Sequence, residues 1–252
     1  MHIYRCTLTL MEATFFSSRE VSATYFTEPL IGHIALSYAF GFCRSPYYND
    51  GTIHYKEHLT ALNEQGLYVT PATLVNKPRF TLGQFNAQPD AYWSAMGAGA
   101  LVTVPEGGRA ESKGKSWWVY DAQGKRRKIG AETRPQFGRI RSLAIGNQAV
   151  AYVLSRDALT IPSYIRLGKF MSKAKVQSQE VTFSEIKDGN VTLPSLLSLG
   201  DLPSEMAPLV FDLINVPPTP LVRNARMSGR FYRISKTELL PIGMRYDLSG
   251  LP

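Results

Sequence analysis

Between Arg134 and Val176 the chain reads RPQFGRIRSLAIGNQAVAYVLSRDALTIPSYIRLGKFMSKAKV, and the middle of this stretch has little conformational choice. Ala149 to Leu154 is short, apolar throughout and bounded by polar residues, with a Gly146-Asn147 turn signal before it and Ser155-Arg156-Asp157 after it. Such a run suits a buried strand better than a helix. Upstream, basic residues are set among apolar ones (Phe137, Arg139, Ile140, Arg141, Leu143), and the alternate side chains of an extended strand put both arginines on one face. Downstream come Ile165-Arg166-Leu167-Gly168-Lys169, then Lys173 and Lys175. Five cations fall between Arg156 and Lys175 against one acid, Asp157. That cluster requires an anionic partner or open solvent.

From His2 to Leu10 the pattern also alternates: Tyr4, Cys6, Leu8 and Leu10 share one face, and Arg5, Thr7 and Thr9 share the other with Ile3, which predicts a strand with one buried face. Thr27 can cap a helix with Glu28 and Pro29 in its first turn, because Leu30, Ile34, Tyr38 and Phe42 follow at helical spacing. Asn49-Asp50-Gly51 reads as a turn, Tyr55 to Gln65 as a polar helix ending at Gly66, and Leu67–Thr70 and Phe80–Leu82 as short strands. Ser116-Trp117-Trp118-Val119-Tyr120 and Arg126-Arg127-Lys128-Ile129 flank Asp121-Ala122-Gln123-Gly124, the pattern of an exposed hairpin inserted at about 105–133. Val181–Ile186 and Val191–Leu193 are weak strands. Pro194–Pro208 is loop-rich, and Val216-Pro217-Pro218-Thr219-Pro220 cannot lie in a central strand. A closing basic strand follows in LVRNARMSGRFYRISK. No linker separates two independent domains, so 1–252 reads as one α+β domain.

The 252 residues, 44% hydrophobic and 19% charged, are a globular composition with a net charge of +8. Residues 1–104 carry 6 Lys/Arg and 7 Asp/Glu, which leaves 22 and 13 for residues 105–252. The positive charge therefore sits in the second part, in three segments: 105–141, 156–175 and 223–236. A solvated face explains one basic run, but repetition favours a phosphate backbone. The candidate contacts are Arg139, Arg141, Arg166 and Lys169, with Lys173 and Lys175 behind them, and Arg223, Arg226 and Arg230 near the C-terminus. Arg126 and Arg127 reach phosphates from the hairpin unless they only solubilise its tip. Trp117 and Trp118 point to opposite faces of a strand, so one can pack while the other stacks on a base or a partner. Cations mixed with aromatic surfaces suit single-stranded nucleic acid.

Other chemistries find little support. His54-Tyr55-Lys56-Glu57-His58 matches H-x-x-E-H, but no further zinc-site pattern accompanies it. Gly97-Ala98-Gly99 opens no complete dinucleotide fingerprint and there is no Walker A motif, so neither metal nor cofactor is expected. Cys6 and Cys43 are too few for a disulfide framework, and no signal peptide or membrane-length run is seen, which together predict a reduced, cytoplasmic location without membrane contact. Metal-independent RNA cleavage needs His, Tyr or Lys as acid and base. The histidines (His2, His33, His54, His58) all lie in the near-neutral first part, while Tyr152, Tyr164 and Lys169 remain available.

The IRLGKFMSKAKV run, the opening MHIYRCTLTL, Thr27-Glu28-Pro29-Leu30 and FGRIR resemble the small backbone subunit of the type I-D CRISPR interference (Cascade) complex, the Csc-one branch of the Cas-five family. The similarity runs in order over most of the chain. It implies a ferredoxin-like RNA-binding core with a protruding basic hairpin, gripping the five-prime handle of a CRISPR RNA. It also implies a non-catalytic subunit, because a separate subunit processes the RNA, with the large subunit and the repeated backbone subunit as partners and target DNA near the PAM as a further contact. A metal-independent endoribonuclease and an RNA-binding scaffold outside CRISPR systems are the alternatives.

Overall fold

The computed structural model describes residues 1–21, 24–43, 54–87, 106–113, 116–127, 136–249 and 251; the stretches at 49–51, 97–99 and 128–129 singled out above lie outside these. The chain forms two compact units. The first is Met1–Arg19, Thr27–Thr81 and Ser142–Pro252, and the second is Glu20–Phe26 and Leu82–Arg141.

The first unit is built on the strand His2–Leu10, as its alternation predicts. Tyr4, Cys6, Leu8 and Leu10 are buried, and so is Ile3 on the other face. It pairs antiparallel with Gln148–Ser155, Cys6 opposite Ala151, and with Ser172–Glu180, Leu8 opposite Val176. Ala149 and Ala151–Leu154 are buried, in keeping with their unbroken apolar run. The sheet has seven strands in the order Tyr164–Leu167, Ser172–Glu180, His2–Leu10, Gln148–Ser155, Ala72–Leu74, Leu30–Ile31, with Leu67–Val69 also on Gln148–Ser155. A second, five-stranded sheet gathers Ser184–Leu193, Leu197–Ser198, Val210–Ile214 and Leu239–Pro241 onto the long strand Leu221–Arg233. Phe231, Met227, Ala225 and Val222 from that strand join the same core as Leu8, Leu10 and Ile31.

The expected ferredoxin-like α+β core is not what forms. Strands dominate the described residues, which contain two α-helices, both before residue 67, so the described later part of the chain supplies no second α-helix for a ferredoxin-like repeat. The helix expected from Thr27 is short and starts later. Thr27 Oγ1 is already committed, donating to the Phe16 carbonyl at 2.9 Å and accepting the Phe16 amide at 3.0 Å. Leu30 and Ile31 then pair with Thr73 and Ala72 as a strand. The helix itself is His33–Ala39, entered through Gly32 without a side-chain cap. Tyr55–Gln65 is the second helix and stops at Gly66 in the left-handed conformation (φ 67°), as the sequence predicts. The two weak strands expected after Val181 are a single strand, Ser184–Leu193, with a bulge between Ile186 and Gly189.

In the second unit the hairpin is present and gains a third strand. Ser116–Tyr120 pairs with Arg126–Arg127 and, on its other side, with Arg109–Lys113. Asp121 holds the turn: its Oδ1 accepts the Gln123 amide at 3.1 Å and the Lys125 amide at 2.8 Å, and Gly124 takes φ 74°. Thr24–Phe26 lies parallel to the strand Gln136–Leu143, with Ile140 opposite Tyr25.

Candidate nucleic-acid interface

The edge of the seven-stranded sheet in the first unit carries a cationic face. In the strands Tyr164–Leu167 and Ser172–Glu180, inward positions are apolar or small (Ile165, Leu167, Ala174, Val176) and outward ones polar. Register sets Tyr164 opposite Lys175 and Arg166 opposite Lys173, so these four share one face. The Lys173 ammonium lies 4.5 Å from the Tyr164 ring centroid, a cation–π contact that orders both. Arg166 Nη1 donates to the Met171 carbonyl at 3.1 Å and lies 3.7 Å from Glu12 Oε2. That same carboxylate oxygen accepts the Lys173 amide at 2.8 Å. Lys175 has no ion-pair partner among the described residues and is the most available charge of the group.

The same face continues across Gln177 and Gln179 to Thr9, Thr7 and Arg5, which lie opposite Lys175, Gln177 and Gln179. It loses its free charge there, because Arg5 donates to Glu238 Oε1 and to Thr7 Oγ1, each at 3.0 Å. Lys169 stands in the turn joining the two edge strands, and partial burial lowers its ammonium from its ordinary pKa. Beside the edge, a cavity of about 600 Å³ lies between Ala35, Tyr38 and Ala39 of the first helix and the strand carrying Arg166.

In the second unit, Arg139 and Arg141 take one face of their strand as predicted, with Ile140 buried between them. Arg139 is exposed, whereas Arg141 is half-buried with its guanidinium 4.8 Å from the Phe26 ring centroid. On the hairpin, Arg126 lies 3.0 Å from the Trp118 ring centroid and Arg109 5.2 Å from that of Tyr120. Trp118 and Tyr120 are two apart in one strand and so share a face. Val119, pointing the other way, is buried. The sequence singled out Trp118 and Arg126 as contacts and set Tyr120 in the same hairpin strand without naming it as one, while Arg109 carried no signal of its own. Trp117 and Arg127 are placed in their strands by register alone. Arg223, Arg226 and Arg230 are exposed on the strand Leu221–Arg233, and Arg230 is 3.9 Å from Glu185.

The residues considered for cleavage are spread out and mostly engaged. Tyr152 is buried, and desolvation with the Glu238 carboxylate beside it pushes its phenol well up. His2 pairs with Glu180 at 2.7 Å, His33 with Asp201 at 3.0 Å, His54 with Glu57 at 3.5 Å and His58 with the Tyr38 hydroxyl at 2.7 Å. Among the described residues no group of three or more His, Cys, Asp or Glu could hold a metal ion, the H-x-x-E-H pair included. No described helix is long and apolar enough to cross a membrane. Burial pushes the Cys6 thiol up to about 12 and the Cys43 thiol to about 11.

These features define a β-rich protein that presents lysine, arginine and aromatic side chains on open strand faces. The family model for type I-D CRISPR-associated protein Cas5/Csc1 matches residues 1–248, and the chain belongs to that family. It is the family that the IRLGKFMSKAKV and MHIYRCTLTL segments resemble. No curated protein matches the chain.

Proposed function

We propose that this chain is a non-catalytic subunit of the type I-D interference complex that holds the five-prime handle of the CRISPR RNA. In this role it docks the large subunit and the repeated backbone subunit and helps position target DNA near the PAM. The observation that carries the reading is the open face shared by Tyr164, Arg166, Lys173 and Lys175 at the sheet edge. Cations on a strand face track a flexible phosphate backbone without reading its sequence, and the tyrosine among them offers a stacking surface. The subunit then needs no base-specific pocket, because pairing between RNA and DNA supplies sequence readout. The arginine-covered Trp118 and Tyr120 of the hairpin offer the same chemistry to RNA or DNA.

A second reading, metal-independent RNA cleavage, is favoured by one observation: Lys169, whose lowered pKa suits a general base, lies in the turn that joins the strands carrying Tyr164 and Lys173. The test is incubation of the purified protein with CRISPR repeat RNA in chelator. The RNA is expected to stay intact; a discrete cut lost in Lys169→Ala would make the protein a nuclease.

A further inference from the structure

The strand Val210–Ile214 buries none of its residues, unlike the central strands His2–Leu10 and Gln148–Ser155 of the first unit. A strand in a sheet with one covered face buries alternate residues, yet here Leu209, Val210, Phe211 and Leu213 are 71%, 65%, 36% and 59% exposed. Apolar side chains thus reach solvent on both faces of the strand. Its only strand partner among the described residues is Leu221–Arg233, so its other edge is unpaired. An exposed apolar edge strand is a template for pairing and an aggregation hazard when left open.

We infer that Leu209–Ile214 is a docking edge for a different protein, one that presents an apolar strand or face with acidic residues at its rim. The inference rests on the proposed role of the chain as a subunit of a multiprotein complex. Three features select this occupant. Arg223 and Arg226 lie on the neighbouring strand opposite Asp212 and Val210, are exposed, and have no ion-pair partner among the described residues, which calls for carboxylates across the interface. Asp212 stands in the middle of the edge strand. In a symmetric antiparallel pairing with a second copy centred there, two aspartates would meet and two chains of net charge +8 would be brought together. Finally, leucine and valine offer a nucleic acid neither a stacking plane nor a hydrogen bond, and Phe211 is the sole aromatic of the patch. Arg223 and Arg226, candidates for RNA from the sequence, are thereby assigned to a protein rim.

The test uses the chain coexpressed with the interference subunits encoded beside it. Val210→Glu/Leu213→Glu is expected to keep the circular dichroism spectrum and the repeat-RNA affinity of the wild type while losing at least tenfold in partner retention. In the wild-type complex, hydrogen exchange at the 210–213 amides is expected to slow relative to the free chain. Undiminished assembly of the variant, or unprotected amides in the complex, would overturn the assignment. A matching loss of RNA affinity would make the patch an RNA surface, and a wild-type dimer in sedimentation abolished by the substitutions would make the occupant a second copy. If the wild type assembles with no partner, the proposed function falls and this inference falls with it. If it assembles but the variant does as well, only the inference falls.

Discussion

Gly168 takes φ 72°, and a Cβ at that position would collide with the carbonyl oxygen of Phe15, which accepts the Lys169 amide at 2.9 Å. The turn that sets Arg166 opposite Lys173 therefore depends on a missing side chain. Gly168→Ala should cost at least about 1–2 kcal/mol from the left-handed backbone alone, read as a lower urea midpoint, and should weaken RNA binding as the two edge strands lose register. A stable, fully binding variant would mean that the hairpin does not rely on this turn. Glu12 is the acid inside the basic face, 3.7 Å from Arg166 and hydrogen-bonded to the Lys173 amide. Glu12→Gln keeps an acceptor for that amide and removes the charge. RNA affinity at low salt should then rise by about twofold to fivefold, the equivalent of ~0.5–1 kcal/mol for an exposed pair; an unchanged affinity would place the RNA elsewhere. Nothing in the sequence around residue 12 announces this contact, because its partners lie far along the chain.

Three elements of the first unit meet at one carboxylate. Asp201 accepts from the Tyr68 hydroxyl at 2.8 Å and from the Asp247 amide at 2.7 Å, and it lies 3.0 Å from His33 Nε2, with both side chains of that pair almost fully buried. Tyr246 stacks on His33 and hydrogen-bonds Ser37 at 2.6 Å. Asp201→Ala leaves His33, Tyr68 and a backbone amide without their acceptor and should cost about 3–5 kcal/mol in chemical denaturation; a loss under 1 kcal/mol, well below that range, would show that water replaces the carboxylate. The hairpin is a separate matter. The main core cluster contains no described residue between 82 and 141. Replacing Arg109–Arg127 by a glycine-serine linker should therefore leave the main unfolding transition in place while reducing RNA binding, and loss of that transition would make the hairpin part of the core. What the sequence revealed divides along the same line. His2–Leu10, Ala149–Leu154, the helix ending at Gly66 and the Asp121–Gly124 turn were legible because period, length and turn chemistry are local signals. The helix from Thr27 failed because Phe16 takes the threonine hydroxyl and Thr73 and Ala72 take Leu30 and Ile31, and those partners are set by the fold.

At the scale of the whole molecule, the charge read from sequence as three basic segments resolves into faces with different neighbours. The sheet-edge face keeps Lys175 open to solvent and holds the half-buried Lys173 against the Tyr164 ring. Arg141 packs on Phe26, Arg126 on Trp118, and Arg223 and Arg226 border an apolar edge. Net charge alone predicts that any two cations matter equally, whereas the arrangement of faces predicts that they do not. The deciding measurement is the salt dependence of binding to a single-stranded RNA carrying the CRISPR repeat. Each neutralised phosphate of a single strand contributes about −0.7 to the slope of log affinity against log salt. Lys173→Ala/Lys175→Ala should flatten that slope by about 1.4, and Lys56→Ala/Lys77→Ala, in the near-neutral part of the sequence, should leave it unchanged. Equal flattening by both pairs would mean that binding follows net charge, and would contradict the assignment of RNA to the Arg166–Lys175 face.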